Sequence, residues 1–218
     1  MSSAQANAPH GNPSHGNASH GNAETRLTLV RHGETDWNRQ RRIQGSTDVP
    51  LNAVGMAQAR AAGLSLIGTD YVALYSSPQV RALETARIIA ETLGMGEPIV
   101  RAELRERSFG PAEGLTDGEI AERFPDGIPD QESRESVVDR ALPVLEEIAD
   151  RHPGEAVLVV THGAVISSLV RRLSGDAHPR LGEPIVNLSL SHFTHSGGRL
   201  RIGDINVPSH DPGGLVVE

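Results

Sequence analysis

The chain has 218 residues and a formal net charge of −8, and it contains neither cysteine nor lysine. Without cysteine there are no disulfides or thiol nucleophiles, and without lysine there is no Schiff-base chemistry and no phosphate-loop nucleotide site of the usual kind. The acidic balance argues against non-specific binding to nucleic acid or to an anionic membrane surface. No apolar run is long enough to cross a membrane and the N-terminus lacks the plan of a signal peptide, so we expect a cytoplasmic protein with one folded domain.

The N-terminal segment, residues 1–23, differs in composition from the rest of the chain. It repeats His-Gly-Asn three times and has almost no apolar side chains. Such a segment cannot bury enough surface to offset the entropy lost on ordering, so we predict a disordered tail. Weak binding of a divalent metal by its three histidines is the alternative. Residues 24–207 are predicted to form the folded domain, and residues 208–218 a flexible C-terminal tail.

Strands and helices alternate after this tail, judged from apolar runs, helical periodicity and turn residues. In chain order we predict a strand at 26–30, a helix at 52–67, a strand at 71–75, a helix at 78–93, a strand at 99–100, a short helix after residue 116, a helix at 136–151, a strand at 156–160, a helix at 164–173, and strands at 187–192 and 200–205.

Residues at the helix ends support several of these boundaries. Asn52 is expected to cap the first long helix, and Pro78 to occupy the first position of the helix that ends at Gly94. The residues 116–119, Thr-Asp-Gly-Glu, have the form of a capping box. Pro143 is expected to kink the helix at 136–151 or to mark its true start.

The alternation of strands and helices predicts an α/β fold. We expect a three-layer α/β/α sandwich with a mainly parallel sheet, because parallel strands need helical crossovers that cover both faces. The last two strands are joined through Ser-Gly-Gly at 196–198, which predicts a hairpin and an antiparallel edge strand.

Three strand-to-helix corners carry chemically useful side chains. The first strand runs into Arg-His-Gly at 31–33, and the strand at 156–160 runs into Thr-His-Gly at 161–163. Arg81 stands in the helix that follows the second strand. Ligands of open α/β sheets bind where the carboxyl ends of the strands emerge. These corners therefore predict a cationic pocket that contains a nucleophile, which suits phosphoryl groups.

Several blocks of sequence resemble a known family, the histidine phosphatase superfamily in its phosphoglycerate mutase-like branch, over residues 25–206. They are Leu-Val-Arg-His-Gly-Glu-Thr at 29–35, Gln-Gly to Asp-Val-Pro-Leu-Asn at 44–52, Ser-Pro to Arg-Ala and Thr-Ala at 77–86, Leu-Arg-Glu, Phe-Gly and Glu-Gly at 104–114, and Thr-His-Gly at 161–163. The resemblance implies a histidine phosphatase that needs no metal and no cofactor and acts on a small phosphorylated metabolite.

The resemblance also implies a role for each site residue. His32 is expected to attack phosphorus, and Glu106 to act as general acid and then general base. His162 is expected to be cationic and to bind the phosphoryl group. The other expected contacts with the phosphoryl group and the substrate are Arg31, Asn38, Gln44, Gly45, Arg81 and Gly163. Composition alone leaves several glutamates between 101 and 113 as the acid, and Glu103 is the alternative to Glu106.

Simpler interpretations of these residues remain open. His32 could be a core histidine, Arg31 and Arg81 could form surface ion pairs, and Asn38 could be a surface amide. The arginines at 39, 41 and 42 are interpreted as a solvated face, and Trp37 as a packing residue.

Within the same chemistry, the alternative to a hydrolase is a phosphoglycerate mutase. The stretch between Glu106 and His162 is short and net acidic, and its arginines able to hold a second anionic group are Arg107, Arg123 and Arg134. This favours hydrolysis. A non-catalytic phosphoester-binding module would be expected to lack His32 or Glu106. The segment 132–136, Glu-Ser-Arg-Glu-Ser, stands where the family commonly has Gly-Gly-Glu-Ser. This departure leaves open both the flexibility of the lid and the identity of the substrate. Assembly into a homodimer also remains open.

Overall fold

The computed structural model describes residues 23–178 and 183–209. Most of the two predicted tails, 1–23 and 208–218, lies outside these residues, so their disorder stays a prediction. In the described part of the chain no helix is both long and apolar enough to span a bilayer. The cytoplasmic location likewise stays a prediction.

One mixed sheet organises the described residues. Its strands are β1 (Thr25–Arg31), β2 (Tyr71–Ser76), β3 (Ile99–Val100), β4 (Ala156–Thr161), β5 (Leu190–Ser196) and β6 (Arg199–Ile202), in the order β3-β2-β4-β1-β5-β6. The first four of these in spatial order are parallel, while β5 is antiparallel to β1 and β6 to β5. The predicted parallel sheet with an antiparallel edge is confirmed.

Helices cover both faces of this sheet. They are α1 (Asp36–Arg39), α2 (Ala53–Ser65), α3 (Val80–Leu93), α4 (Asp117–Arg123), α5 (Arg134–Arg151) and α6 (Gly163–Ser174). Strand β4 is buried along its whole length. Its Val157 and Val159 pack with α5 and α6, whereas Leu158 and Val160 pack with α2 and α3. Because successive strand residues point to opposite faces, this alternation produces the predicted three layers.

Most of the predicted capping signals are confirmed. The Asn52 side chain accepts from the Gly55 backbone N–H at 2.8 Å, and α3 ends at Gly94. Thr116 and Glu119 form a reciprocal capping box on α4. The hairpin between β5 and β6 turns at the predicted Ser-Gly-Gly.

The predicted start of α3 is wrong. The helix begins at Val80, so Pro78 precedes it, and the Val80 N–H donates to the Asp48 carboxylate at 2.7 Å. This carboxylate comes from a distant loop, and local sequence contains no sign of it.

The alternative that Pro143 marks the true start of the helix is also wrong. Helix α5 begins at Arg134, and the Ser133 side chain caps it. Ala141, Val144 and Leu145 are buried on either side of the proline. Packing against the sheet therefore keeps the helix continuous across a missing backbone donor.

Strand β5 starts three residues later than predicted, since Asn187 and Leu188 form the connection to the site instead.

Candidate active site

His32 follows β1 directly, and its ring is buried with 2% of its surface exposed. The ring Nδ1 lies 2.7 Å from the Gly33 carbonyl oxygen. Because a carbonyl only accepts, Nδ1 carries the proton and Nε2 keeps its lone pair. Burial, together with the charges of Arg31 and Arg81, lowers the pKa of His32 well below its usual value. The ring is therefore neutral at pH 7, as a nitrogen nucleophile must be.

The turn that carries His32 is held by close backbone packing. A Cβ at Gly33 would lie 2.7 Å from the Gly55 carbonyl oxygen of α2, so the position requires glycine. The Gly33 N–H donates to the Thr85 hydroxyl of α3 at 3.0 Å. On the other side, the Asn187 amide donates to the His32 carbonyl at 2.8 Å. Three separate elements thus fix the backbone on which the ring is mounted.

Two buried guanidinium groups flank this ring. Arg31 ends β1, donates to the Ile185 carbonyl, and has its pKa lowered to about 10 by burial. Arg81, in the first turn of α3, is fully buried and donates to the carbonyls of Gly45 and Thr47, each at 2.8 Å. The Nε of each arginine is buried without a hydrogen-bond partner in the described chain. Two charges held by neutral carbonyls create a strong preference for an anion between them.

His162 lies behind His32, with the ring centroids 5.2 Å apart. It occupies the N-cap position of α6 without a capping hydrogen bond from its side chain, and its Nε2 lies 2.7 Å from the Ser77 hydroxyl. Burial first, and then the charge of Arg81, lowers its pKa well below the usual value and favours the neutral ring. The expected cationic form, bound to a phosphoryl group, stays a prediction. His162 is fully buried and does not line the cavity, and among the described residues its Nδ1 has no hydrogen-bond partner.

Glu106 faces the same cavity from the segment after β3. Its carboxylate accepts from the Arg107 N–H at 2.9 Å and from the Ala164 N–H, in the first turn of α6, at 3.4 Å. Burial raises the pKa of Glu106 in spite of these hydrogen bonds. The alternative acid, Glu103, pairs with Arg101 at 3.5 Å and does not line the cavity.

The remaining expected contacts surround the cavity, whose volume is about 430 Å³. The side-chain oxygen of Asn38 accepts from the Thr35 backbone N–H at 3.2 Å, which leaves the side-chain N–H groups of Asn38 for a ligand. Gln44 is buried, and its side-chain oxygen has no hydrogen-bond partner in the part of the chain that the structure describes. Gly45 adopts φ 55°, and Gly163 packs beside Arg31, where a Cβ would be 3.4 Å from Nε. The structure thus brings every expected residue to the cavity wall except His162.

Sequence reasoning missed residues that position this wall. The Gln79 side chain accepts from the Glu106 N–H at 2.7 Å and donates to the Gly45 carbonyl at 2.9 Å. It thereby ties the acid to the loop that holds Arg81. Asn187 supports His32 in the same manner. Both are polar residues at element ends with no local pattern that would have singled them out.

The Glu113 carboxylate holds the loop at 45–47. It accepts from the N–H groups of Ser46 and Thr47, at 2.8 and 3.0 Å, and from that of Phe109 at 3.1 Å. A Cβ at Gly45 would overlap the carboxylate at 2.1 Å, so the loop packs directly against it. The Glu-Gly pair at 113–114, which belongs to the family motif, was the feature of the sequence that could have pointed to this role of Glu113.

The segment at 132–136 fixes the acid's surroundings. The Glu132 carboxylate pairs with Arg140 at 2.8 Å and accepts from the Ser108 N–H at 3.2 Å. Arg140 also donates to the carbonyls of Arg105 and Glu106, at 2.8 and 3.2 Å. Glu132, in the segment that departs from the family's common Gly-Gly-Glu-Ser, therefore anchors the stretch that carries Glu106.

Four further arginines line the outer part of the cavity, and they are Arg42, Arg107, Arg134 and Arg171. Arg42 was expected on a solvated face, but it donates to the Gly114 carbonyl at 2.6 Å and reaches the cavity. Arg123, counted among the arginines available to hold a second anionic group, lines a separate hollow on α4. Among the described residues no group of three or more His, Asp or Glu side chains is arranged to hold a metal ion.

The sequence profile of the histidine phosphatase superfamily (branch 1) matches residues 27–208. The chain belongs to this superfamily. It is 40% identical over 188 residues to "Uncharacterized phosphatase PhoE" of Bacillus subtilis (strain 168), which covers 85% of this chain and 96% of that protein. It is 41% identical over 164 residues to the "Metal-independent phosphoserine phosphatase" of Arabidopsis thaliana, covering 69% of each.

Other superfamily members extend the comparison. A 2,3-bisphosphoglycerate-dependent phosphoglycerate mutase of Parvibaculum lavamentivorans (strain DS-1) is 36% identical, covering 67% of this chain and 79% of that protein. The mycobacterial glucosyl-3-phosphoglycerate phosphatase Rv2419c, solved in complex with VO3, superposes with a TM-score of 0.74 at 29% identity, covering 84% of this chain and 98% of that chain. The superfamily thus includes similar chains named as phosphatases and as mutases.

Proposed function

We propose that this protein is a phosphomonoester hydrolase that works through a phosphohistidine intermediate on His32. The observation that carries the proposal is the tautomer of His32: the Gly33 carbonyl holds Nδ1, so Nε2 is the free nucleophile in a pocket flanked by Arg31 and Arg81. The phosphatase names of similar proteins support the same reaction class.

In the first step, His32 Nε2 forms a bond to phosphorus as the bond from phosphorus to the ester oxygen breaks. Glu106 gives its proton to the departing alkoxide, for which its raised pKa prepares it. Arg31 and Arg81 stabilise the charge on the equatorial phosphoryl oxygens. They supply the positive charge that a metal ion supplies in other phosphatases, so the step requires none.

In the second step, water attacks the phosphorus of phosphohistidine. The Glu106 carboxylate takes a proton from that water, the N–P bond breaks with its electron pair returning to His32, and phosphate leaves. A dianion in the pocket would raise the pKa of His162, whose Nδ1 has no partner among the described residues, and would favour a cationic ring bonded to phosphoryl oxygen.

Phosphoglycerate mutase is the second candidate, and the outer arginines favour it. A mutase must retain and reorient its intermediate, which needs cations beyond the phosphoryl pocket. The sequence analysis found few such cations. In the structure, Arg42 and Arg171 line the cavity together with Arg107 and Arg134. Hydrolysis remains the primary proposal because the two relatives named above as phosphatases, at 40% and 41% identity, support it. A phosphoglycerate mutase-like protein of Arabidopsis thaliana is 39% identical, which keeps the mutase as the second candidate.

Phosphorus NMR of the purified protein with 2- and 3-phosphoglycerate, run with and without a bisphosphoglycerate primer, tests this choice. We expect phosphate release and negligible interconversion of the two phosphoglycerates, because water beside Glu106 is the acceptor. Primer-dependent isomerisation that is faster than phosphate release would assign the protein as a mutase. The Arg123→Ala variant, altered outside the cavity, is the matched control and should behave as the wild type.

A further inference from the structure

Ser77 is a buried serine directly after β2 that the proposed chemistry does not use. Its backbone N–H donates to the Val160 carbonyl of β4 at 3.0 Å, which continues the pairing of these two strands. Ser77 therefore lies beside the strand end that delivers His162. The Ser77 hydroxyl is 2.7 Å from His162 Nε2, and both side chains are completely buried. The contact is thus set by the register of the sheet.

The hydrogen-bond partners of this hydroxyl decide where its proton lies. The Gln79 backbone N–H donates to Ser77 Oγ at 3.3 Å and takes one lone pair. Within the described residues, the Ser77 hydroxyl has no acceptor other than His162 Nε2. A hydroxyl group donates one proton and accepts at two lone pairs. As long as the ring is neutral, the Ser77 O–H therefore donates to Nε2, and the ring carries its own proton on Nδ1.

The other ring nitrogen of His162 remains for a ligand. Nδ1 is buried and has no hydrogen-bond partner in the described chain. The centroid of the ring lies 5.2 Å from that of His32, on which the proposed phosphohistidine forms. An ionised phosphoryl oxygen only accepts hydrogen bonds, so it can bind Nδ1 only when that nitrogen carries a proton. The Ser77 hydroxyl selects this tautomer, as the Gly33 carbonyl selects that of His32.

The surroundings of His162 oppose a second proton on its ring. Burial first, and then the nearby basic groups, lower its pKa well below the usual value. These groups are Arg81 on α3, Arg31 and His32 at the end of β1, and Arg140 on α5. The Glu106 carboxylate lies at the start of α6, where it accepts from the Ala164 N–H. An anion held by Arg31 and Arg81 offsets the positive charges and raises the pKa of His162.

We infer that Ser77 is a positioning residue for His162, whose hydroxyl donates to Nε2 of the neutral ring and accepts from Nε2 of the cationic ring. Nδ1–H is thereby presented to the phosphoryl group in both charge states. The inference rests on the proposed function, because it takes the bound anion to be a phosphoryl group beside His32. When the anion binds, Nε2 takes up one proton from solvent and the Ser77 hydroxyl rotates. A neutral hydrogen bond is then exchanged for a charge-assisted one, which is the stronger of the two.

Nitrogen NMR of the protein labelled with ¹⁵N-histidine measures this arrangement directly, and the His162→Gln variant identifies the His162 signals. Inorganic sulfate is the probe, because it remains a tetrahedral dianion across the pH range. Without sulfate, we expect His162 to be protonated on Nδ1 only. With saturating sulfate, we expect protons on both nitrogens. Protonation on Nε2 alone without sulfate, or a ring that stays neutral with it, overturns the inference.

Ser77→Ala removes the hydroxyl and should allow the neutral ring to adopt both tautomers. In the sulfate complex Nε2–H then has no acceptor, so the pKa of His162 falls and the ring loses its second proton at a lower pH than in the wild type. The dissociation constant of sulfate, measured by calorimetry, should rise about ten-fold, the scale of one hydrogen bond to a charged group. Ser77→Thr keeps a hydroxyl and should restore the tautomer and the titration.

Ser76→Ala is the matched control, since Ser76 is equally buried and its hydroxyl donates to the Ser77 carbonyl at 2.9 Å and not to the ring. It should match the wild type in tautomer, titration and sulfate affinity. The same losses in this control as in Ser77→Ala would overturn the inference.

A purely structural role of Ser77 gives a different result. Its Oγ also accepts in the turn that leads into α3, so Ser77→Ala can weaken sulfate binding by displacing Arg81. Weaker binding with an unchanged tautomer and titration of His162 therefore overturns the inference. If Ser77→Ala does not fold, the wild-type spectra with and without sulfate decide by the criteria above. No phosphate release from any ester would contradict the hydrolase and would leave these binding measurements intact.

Discussion

Replacing Glu113 with glutamine should destabilise the protein and weaken phosphoryl binding together. The Glu113 carboxylate accepts from the backbone and hydroxyl groups of Ser46 and Thr47 and from the Phe109 N–H. A glutamine amide directs a donor at one of these sets, so at least one backbone N–H loses its acceptor. Hydrogen bonds to charged groups contribute about 1.5–3 kcal/mol each. Because the loop is partly exposed, we expect a loss of about 2–3 kcal/mol.

A loss of this size should lower Tm by about 5–10 °C for a domain of this length, measured by differential scanning calorimetry. The same loop presents the Gly45 and Thr47 carbonyls that orient Arg81, so inhibition by inorganic phosphate should weaken as well. Glu122→Gln is the matched control, since Glu122 is an exposed glutamate on the neighbouring α4. If Glu113→Gln matched this control in both Tm and phosphate inhibition, the assignment of Glu113 as the anchor of the loop would be refuted.

The pH dependence of this effect has a defined sign. Burial alone would raise the pKa of Glu113, but the hydrogen bonds from Thr47, Ser46 and Phe109 outweigh it and lower the pKa. A lowered folded-state pKa contributes stability above the unfolded-state value, and that stability is lost as the pH falls through the folded-state value. The difference in stability between the wild type and Glu113→Gln should therefore shrink on acidification below about pH 4.5.

Three further predictions concern the chemistry itself. Glu106→Gln should lower kcat about 10²- to 10⁴-fold for alkyl phosphates. In single-turnover phosphorylation of the enzyme, the loss should be smaller for an aryl phosphate, because its leaving group needs no proton. Equal single-turnover losses for both esters would remove Glu106 as the acid. Wild-type activity on alkyl phosphates should fall as the pH rises through the raised pKa of Glu106, and again near the pKa of Arg31 at about 10. Activity should survive a chelator and be inhibited by vanadate, whose adduct resembles the transferring phosphoryl group; loss in chelator with recovery on added magnesium or zinc would contradict the site.

The sequence was sufficient for the residues carried by the strand ends. Arg31 ends β1, His32 follows it, and His162 follows β4. These strands are neighbours in the sheet, and parallel neighbours bring their carboxyl ends to one edge. The apolar runs of these strands are visible in any window of a few residues. Fold class and the core of the candidate site therefore followed from local pattern together with the family resemblance.

Positions that depend on loop paths could not be predicted in this way. Gln79 and Asn187 act through backbone groups of distant segments, so nothing in their neighbours along the chain marks them. Arg171 reaches the cavity because α6 projects outward from the site, eight residues beyond Gly163. The short α1 was also missed, although Thr35 and Asn38 form a reciprocal capping box there. Four residues carry too little periodicity to show a helix.

The phosphorylated state of His32 is the most direct test of the account. Rapid quenching of the enzyme during turnover of a phosphate ester, followed by mass spectrometry under alkaline conditions, should find one acid-labile phosphoryl group on His32. His32→Ala should abolish both the label and turnover, whereas the exposed His178→Ala should retain both. Undiminished turnover in His32→Ala, or a label on another residue, would contradict the central claim.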